Sequence, residues 1–142
     1  MSSRNNITYK SIFEDEWIDK IIELHNKTEM KRSAEQRAEL LESFKRRNIV
    51  ISAWNNKNLV GIGTSLSDGF LYSVIFDVVV DPDYQKRGIG KTIIELIMKE
   101  NPSKSYLLTS TFGNEDFYKK LGFKKHKTAF AKLPTSSQYL EE

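Results

Sequence analysis

The chain has 142 residues and a formal net charge of +3, enough for one domain with a substantial core and too few for two ordinary domains. Cysteine is absent, which excludes a disulfide scaffold, a thiolate metal site and a cysteine nucleophile. Positive and negative charges are spread evenly over both halves, which argues against a nucleic-acid partner. No apolar run approaches the roughly 18 residues of a membrane span, and none follows the first six residues as in a signal peptide. We therefore expect a cytoplasmic protein.

The first half of the chain predicts a strand, two helices and a β-hairpin. In order these are a strand at 7–10, a helix at 13–28, a helix from Ser33, and strands at 49–54 and 59–66. The helical spacing puts Trp17 and His25 on one apolar face, and the cations at 45–47 suit the carbonyl end of the second helix. Residues 55–58 predict the hairpin turn, and the glycines of the return strand predict a bulge or a close backbone approach.

The second half predicts strands that alternate with helices. In order these are a strand at 70–80, a helix from 89 to 100, a strand at 106–109, a helix at 115–121, and strands from Phe123 and at 128–133. Asn114 is an N-cap candidate for the short helix, and Gly122 is a candidate to stop it. We expect an α/β protein with a mixed sheet, a single domain over 1–142, and a loose tail at 134–142.

The link between the strand at 70–80 and the next helix predicts an anion site. The strand ends in a valine run, which Asp81-Pro82-Asp83 terminates. Gly88 and Gly90 then open the helix. Such a turn leaves several backbone N–H groups unpaired and pointing the same way, and phosphate is their usual occupant.

Known phosphate loops differ in where they need glycine. A P-loop requires glycine where Gln85 stands, and a dinucleotide fingerprint requires it where Ile93 stands. The segment Gln85-Lys86-Arg87-Gly88-Ile89-Gly90 instead matches a Gln/Arg-x-x-Gly-x-Gly/Ala loop in full. Phe117-Tyr118-Lys119-Lys120-Leu121-Gly122-Phe123 matches a second signature, Phe/Leu-Tyr-x-x-Leu-Gly-Phe. With both signatures in order, residues 74–133 resemble the GNAT superfamily of N-acetyltransferases.

The resemblance implies a GNAT fold, with a central mixed, mostly antiparallel β-sheet flanked by about four helices. It also implies that the bound anion is the pyrophosphate of acetyl-CoA, held by the turn and by nearby cations. The pantetheine arm would pair with the strand backbone, and a backbone N–H near Val79 would stabilise the oxyanion. The residues expected to contact acetyl-CoA are Val78, Val79, Val80, Gln85, Lys86, Arg87, Gly88, Ile89, Gly90, Lys91 and Asn114. For Asn114, N-capping is a complete alternative explanation.

Two side chains are candidates for catalysis. The resemblance implies that Tyr118 is the general acid, because a phenol with a pKa near ~10 can protonate a departing thiolate whose pKa is near ~8.5. The alternative is an aromatic ring that fills a corner between helix and strand. Asp77 interrupts an apolar strand, where an ionised carboxylate is costly unless paired. It is a candidate base, an anchor for a cationic amine, or a carboxylate bonded to a neighbouring segment.

We therefore predict an acyltransferase that moves the acetyl group of acetyl-CoA to a primary amine of a small molecule: an arylalkylamine, a polyamine or an amino sugar. Transfer would be direct, within a ternary complex, because no cysteine exists to carry the acetyl group. The alternatives are a peptide or protein amine as acceptor, and a non-catalytic acyl-CoA-binding or sensing module. Two histidines far apart predict no metal site. We expect no nucleic-acid or membrane partner, and a monomer or homodimer.

Overall fold

The fold is built around one mixed β-sheet in this computed structural model, which describes residues 6–141. Its five strands lie in chain order: β1 (Ile7–Lys10), β2 (Ile49–Asn55), β3 (Asn58–Ser67), β4 (Tyr72–Val80) and β5 (Ser105–Leu108). The first four pair antiparallel, and β5 pairs parallel with β4. The described helices are α1 (Ile18–Asn26), α2 (Arg37–Lys45), α3 (Ile89–Glu100) and α4 (Glu115–Lys120). The predicted fold class, a mostly antiparallel mixed sheet with about four helices, is confirmed.

The chain divides into two compact units after Leu108. The first contains the sheet and α1 to α3, and the second contains α4. The single domain expected over 1–142 and its loose tail stay predictions. The expected absence of a signal peptide rests mainly on residues 1–5, which lie outside the described part, as does residue 142.

The β2–β3 hairpin forms where its turn residues predict it. Asn55 pairs with Asn58, and Asn56 adopts a positive φ of 56°. Asparagine tolerates this left-handed conformation better than most residues, which is why such turns favour it. The hairpin thereby sets β3 antiparallel to β2 at the centre of the sheet.

Different helices cover the two faces of the sheet, and they pack in different ways. On one face α1 and α2 cover an apolar cluster that includes Trp17, Phe44 and Trp54. On the other face α3 lies directly on the glycines of β3. A Cβ atom added at Gly63 would lie 2.4 Å from Ile93 Cγ2, so only glycine admits the helix at this distance. The close backbone approach predicted from the glycines of β3 is confirmed.

In the second unit the short helix ends as predicted. Gly122 has a positive φ of 95°, and its N–H donates to Lys119 O at 3.0 Å. The strands predicted from Phe123 and at 128–133 are wrong: the backbone there is irregular, and residues 124–133 are exposed. A strand needs a partner for its backbone groups, and the apolar side chains of this segment bury too little surface to hold one in place.

Candidate functional site

The edge of β4 beside β5 is only half occupied. β5 pairs with Tyr72–Ile75 and then ends, so in the part of the chain that the structure describes Phe76–Val80 have no partner on that side. An exposed strand edge of this kind accepts another extended chain through backbone hydrogen bonds. The predicted cofactor contacts Val78, Val79 and Val80 all lie on this edge.

A β-bulge interrupts β4 at the start of the same edge. Thr64 pairs with Phe76 and Ile62 with Val79, so two residues of β4, Asp77 and Val78, face Gly63 alone. Asp77 has a φ of 54°, which is uncommon for a residue with a side chain. The bulge predicted from the strand glycines is confirmed, and it re-aims the side chain of Asp77.

The turn that follows β4 presents unpaired donors at the start of α3. Gly88 has a φ of 84° and occupies the N-cap position, where its carbonyl accepts from the Thr92 N–H at 3.0 Å. The N–H groups of the first turn of α3 have no acceptor within the helix. A Cβ atom built at Gly88 would meet nothing within 4 Å, so the space over this turn is open.

Other residues of the signature hold the turn in place or add charge. Gln85 donates from Nε2 to Val80 O at 3.2 Å, which ties the turn to the end of β4. Ile89 is buried beneath β3. Lys86, Arg87 and Lys91 are exposed cations, and the guanidinium of Arg87 lies 4.9 Å from the Tyr84 ring centroid. A strand edge that runs into a cationic turn of unpaired N–H groups fits a ligand with amides followed by phosphates.

Asp77 lies buried at the centre of an ionic cluster, which we define as His25, Arg32, Arg47 and Asp77. Arg47 donates to Asp77 Oδ2, and Arg32 Nη2 donates to Oδ1 at 2.7 Å. His25 Nε2 lies 3.4 Å from the same Oδ1, and its Nδ1 lies 2.9 Å from Ile21 O. The end of α1, the loop after it, the end of α2 and β4 therefore meet at one carboxylate.

The ionic cluster fixes the charge of Asp77. Burial alone would raise the pKa of this carboxyl, but hydrogen bonds from His25 and Arg47 and the charges of Arg47 and Arg32 outweigh it. The pKa of Asp77 consequently lies well below its usual range. A carboxylate that holds no proton near neutral pH and already accepts from two guanidinium groups is a weak general base. Of the roles considered from sequence, the geometry favours the bonded carboxylate.

The sequence did not reveal the partners of Asp77. His25 lies on the buried face of α1 as its spacing predicts, yet both of its ring nitrogens face oxygen atoms. The cations at 45–47 suited the helix dipole, but Arg47 is nearly buried, with 9% of its side chain exposed. The one available signal was the carboxylate inside an apolar strand, which required partners without naming them.

Tyr118 and Asn114 belong to the second unit. Tyr118 packs edge-on against Phe117 and Phe123, with ring centroids 4.9 and 6.0 Å apart, and burial raises its pKa. The phenol is therefore protonated at neutral pH, as an acid must be. Asn114 precedes α4 but makes no side-chain cap bond; its Nδ2 donates to Thr111 Oγ1 at 2.6 Å. Asn114 occupies the N-cap position of α4 as predicted, and its carbonyl accepts from the Tyr118 N–H at 3.4 Å, although its side chain turns back to the preceding loop.

Two expected absences concern the described residues 6–141 alone. Among them we find no cluster of three histidine, aspartate or glutamate side chains that could bind a metal ion. None of their helices combines the length and apolarity needed to cross a membrane.

The sequence matches proteins that carry the same fold. Residues 46–125 match the acetyltransferase (GNAT) domain family. An uncharacterized N-acetyltransferase, ycf52, of Pyropia yezoensis is 34% identical over 90 residues, covering 58% of this chain and 52% of that protein. The chloroplastic GCN5-related N-acetyltransferase 2 of Arabidopsis thaliana is 36% identical over 70 residues, covering 47% and 27%. The chain thus spans about half or less of these relatives.

Solved structures match over more of the chain. A GNAT-family acetyltransferase of Streptococcus pneumoniae superposes with a TM-score of 0.76 at 21% identity, covering 92% of this chain and 99% of the other. A predicted acetyltransferase of Clostridium acetobutylicum, solved with acetyl-CoA, gives 0.73 at 14% identity, covering 89% and 96%. At these identities the likeness shows the fold.

Proposed function

Because the chain belongs to the GNAT acetyltransferase family, we propose that it transfers the acetyl group of acetyl-CoA to a primary amine. The observation that carries this proposal is the free edge of β4 that leads directly into the cationic turn at Gly88. Acetyl-CoA has the matching order of groups, since its amide-containing arm joins the thioester to a pyrophosphate. No residue beyond those already placed on the edge and the turn is needed to hold it.

On this proposal the backbone of Val78–Val80 pairs with the amides of the arm, and an N–H near Val79 donates to the thioester oxygen. The N–H groups of the turn and the side chains of Lys86, Arg87 and Lys91 bind the pyrophosphate. Gly88 leaves the space that the phosphates need. Gln85 and Ile89 act by holding the turn, and the contact expected from Asn114 stays a prediction from the sequence.

Transfer then needs one acid and one acceptor for the proton of the amine. The amine nitrogen attacks the thioester carbon; the C–N bond forms, the C–S bond breaks, and the thiolate takes the hydroxyl proton of Tyr118. Tyr118 holds its proton at neutral pH, because burial raises its pKa, and after transfer the phenolate regains a proton from solvent. Since Asp77 is a weak base, the proton released by the amine passes to solvent, and we assign Asp77 to holding the bulge from which Val78 and Val79 follow.

We propose a small molecule as the acceptor, and a cytoplasmic monomer or homodimer as the acting form. A peptide or protein amine is the alternative acceptor. One similar protein is described as chloroplastic, so a plastid is the alternative compartment. The rival in another functional class is an acyl-CoA-binding module without catalysis, which would need the edge and the turn but no acid.

The test is CoA release from acetyl-CoA over a panel of amines, with acetyl-CoA binding followed by calorimetry. We expect turnover that falls at least about tenfold in Tyr118→Phe while binding is unchanged, as expected when a positioned acid is removed. Tyr139→Phe is the matched control, because Tyr139 lies in the same unit with its ring against Phe112. Binding without turnover on any small amine or peptide would favour the binding module, and absence of binding would refute both.

A further inference from the structure

The ionic cluster carries more positive than negative charge. Two guanidinium groups, Arg32 and Arg47, face the single carboxylate of Asp77, which leaves a surplus of one positive charge before His25 is counted. Arg47 is nearly buried and satisfied, since it donates to Asp77, to Thr64 Oγ1 at 2.9 Å and to Ser43 Oγ at 2.9 Å. Arg32 is the more exposed of the two guanidinium groups, so a ligand would meet the surplus charge there.

Arg32 uses little of its hydrogen-bonding capacity. Its side chain is 31% exposed, and Nη2 makes its contact with Asp77. Among the described residues, Nε of Arg32 is buried without a partner. A guanidinium has five N–H donors in a fixed fork that matches carboxylate and phosphate oxygens. Nε lies too deep for a ligand to reach, so an anionic group arriving at Arg32 would meet the N–H groups at the exposed end of the guanidinium.

Hydrogen bonds also hold Arg32 in position beside the proposed site. Its backbone N–H donates to Asn26 Oδ1 at 2.8 Å, which fixes the loop after α1. Its guanidinium contacts Asp77, a bulge residue on the free edge Phe76–Val80. Phe76, which precedes Asp77 in β4, is 40% exposed, and its ring centroid lies 5.9 Å from the guanidinium of Arg47.

We propose that Arg32 selects amine acceptors that carry a carboxylate or phosphate group, and binds that group. This inference rests on the proposed acetyl transfer. It disfavours polyamines, since their additional ammonium groups would approach a surplus positive charge. It also means that Asp77 does not attract the amine, because both of its oxygens already accept from cations.

The experiment compares acceptors that differ by one anionic group. Phenylalanine against phenethylamine tests a carboxylate, and O-phosphoethanolamine against ethanolamine tests a phosphate. We expect the wild type to favour at least one anionic member about tenfold or more in kcat/KM, as charge-assisted hydrogen bonds to a guanidinium provide. Arg32→Gln should raise KM for that anionic acceptor about tenfold relative to the uncharged member. Loss of the bond to Asp77 would act on both members alike, and Arg32→Lys should recover part of the difference between them.

Arg37→Gln is the matched control, because Arg37 pairs with the exposed Asp19 on the first turn of α1; it should change neither member. Equal kcat/KM for both members of each pair would overturn the inference and leave the acetyltransferase standing. Equal loss on both members in Arg32→Gln and Arg32→Lys would overturn it too, by showing a merely structural role. No turnover of any amine would overturn the inference together with the proposed function. All assays are run below the melting temperature of each variant.

Discussion

The two faces of the sheet are stabilised by different physics. Under α3 the contact is apolar and close. Buried isoleucines of α3 pack against Gly61 and Gly63 of β3, and the helix approaches the strand closely because these two residues have no side chain. Under α1 and α2 an apolar cluster fills one part of the face, and the ionic cluster occupies the part beside the bulge. The first face depends on shape, and the second depends on shape and on charge neutralisation.

The two faces position two different parts of the proposed site, the turn at the start of α3 and the bulge in β4. The face beneath α3 fixes the helix whose N-terminus carries the turn at Gly88, so close packing there sets the position of the backbone donors. The opposite face fixes the bulge through ion pairs from Arg32 and Arg47 and a polar contact from His25. Changes on the two faces should therefore differ in size, in pH dependence and in their effect on ligand binding.

The largest effect is expected when the carboxylate of the ionic cluster is removed. Asp77→Ala leaves Arg47 almost buried without its counter-charge, and breaking such a pair from one side costs about 3–5 kcal/mol of unfolding free energy. Urea denaturation at pH 7 measures this loss. Asp19→Ala, which removes an exposed carboxylate paired with Arg37, is the control and should shift the midpoint far less. Similar shifts in both variants would mean that burial does not decide the strength of these pairs.

The second prediction uses pH to isolate the same carboxylate. The folded-state pKa of Asp77 is lowered, so its contribution is complete above the unfolded-state pKa of ~3.9 and is lost as the pH falls below that value. Asp77→Asn should therefore lose less unfolding free energy than the wild type between pH 6 and pH 3 (about 2.303RT per pH unit per proton).

Urea midpoints across this pH range give the comparison. Other carboxyl groups with lowered pKa values, such as Asp19 and Glu42, are exposed and titrate in both variants, so they cancel in the difference. Parallel pH profiles for wild type and Asp77→Asn would contradict an ionised, paired Asp77.

The third prediction concerns the apolar face. Gly63→Ala places a methyl group 2.4 Å from Ile93 Cγ2, a branched side chain with little room to move. Overpacking of this kind costs about 1–3 kcal/mol, with no dependence on pH. Gly61→Ala meets its nearest atom at 3.0 Å and should cost less. Thermal unfolding of both variants checks the order, and a larger loss at Gly61 would contradict the packing of α3.

The sequence predicted this apolar face better than it predicted the ionic one. The spacing of isoleucines in α3 and the glycines of β3 are local patterns, and each has one simple physical reading. The ionic cluster joins residues 25, 32, 47 and 77, which no periodicity connects. The strands predicted near the end of the chain failed for a related reason: strand propensity is local, whereas a strand forms only if a partner lies beside it.

The smallest change in stability, and the sharpest test of the turn, comes from Gly88. Gly88→Ala places alanine at a backbone φ of 84°, and Gly69→Ala places it at a φ of 82°, a region that residues with a side chain rarely adopt. Neither added methyl group would meet another atom within 4 Å. Both variants should therefore lose about 1–2 kcal/mol through backbone strain alone. Only Gly88→Ala should also weaken acetyl-CoA binding, by about tenfold or more in calorimetry, because its methyl fills the space over the donors. Equal binding in both variants would show that the phosphates lie elsewhere, even though α3 and its turn remain in place.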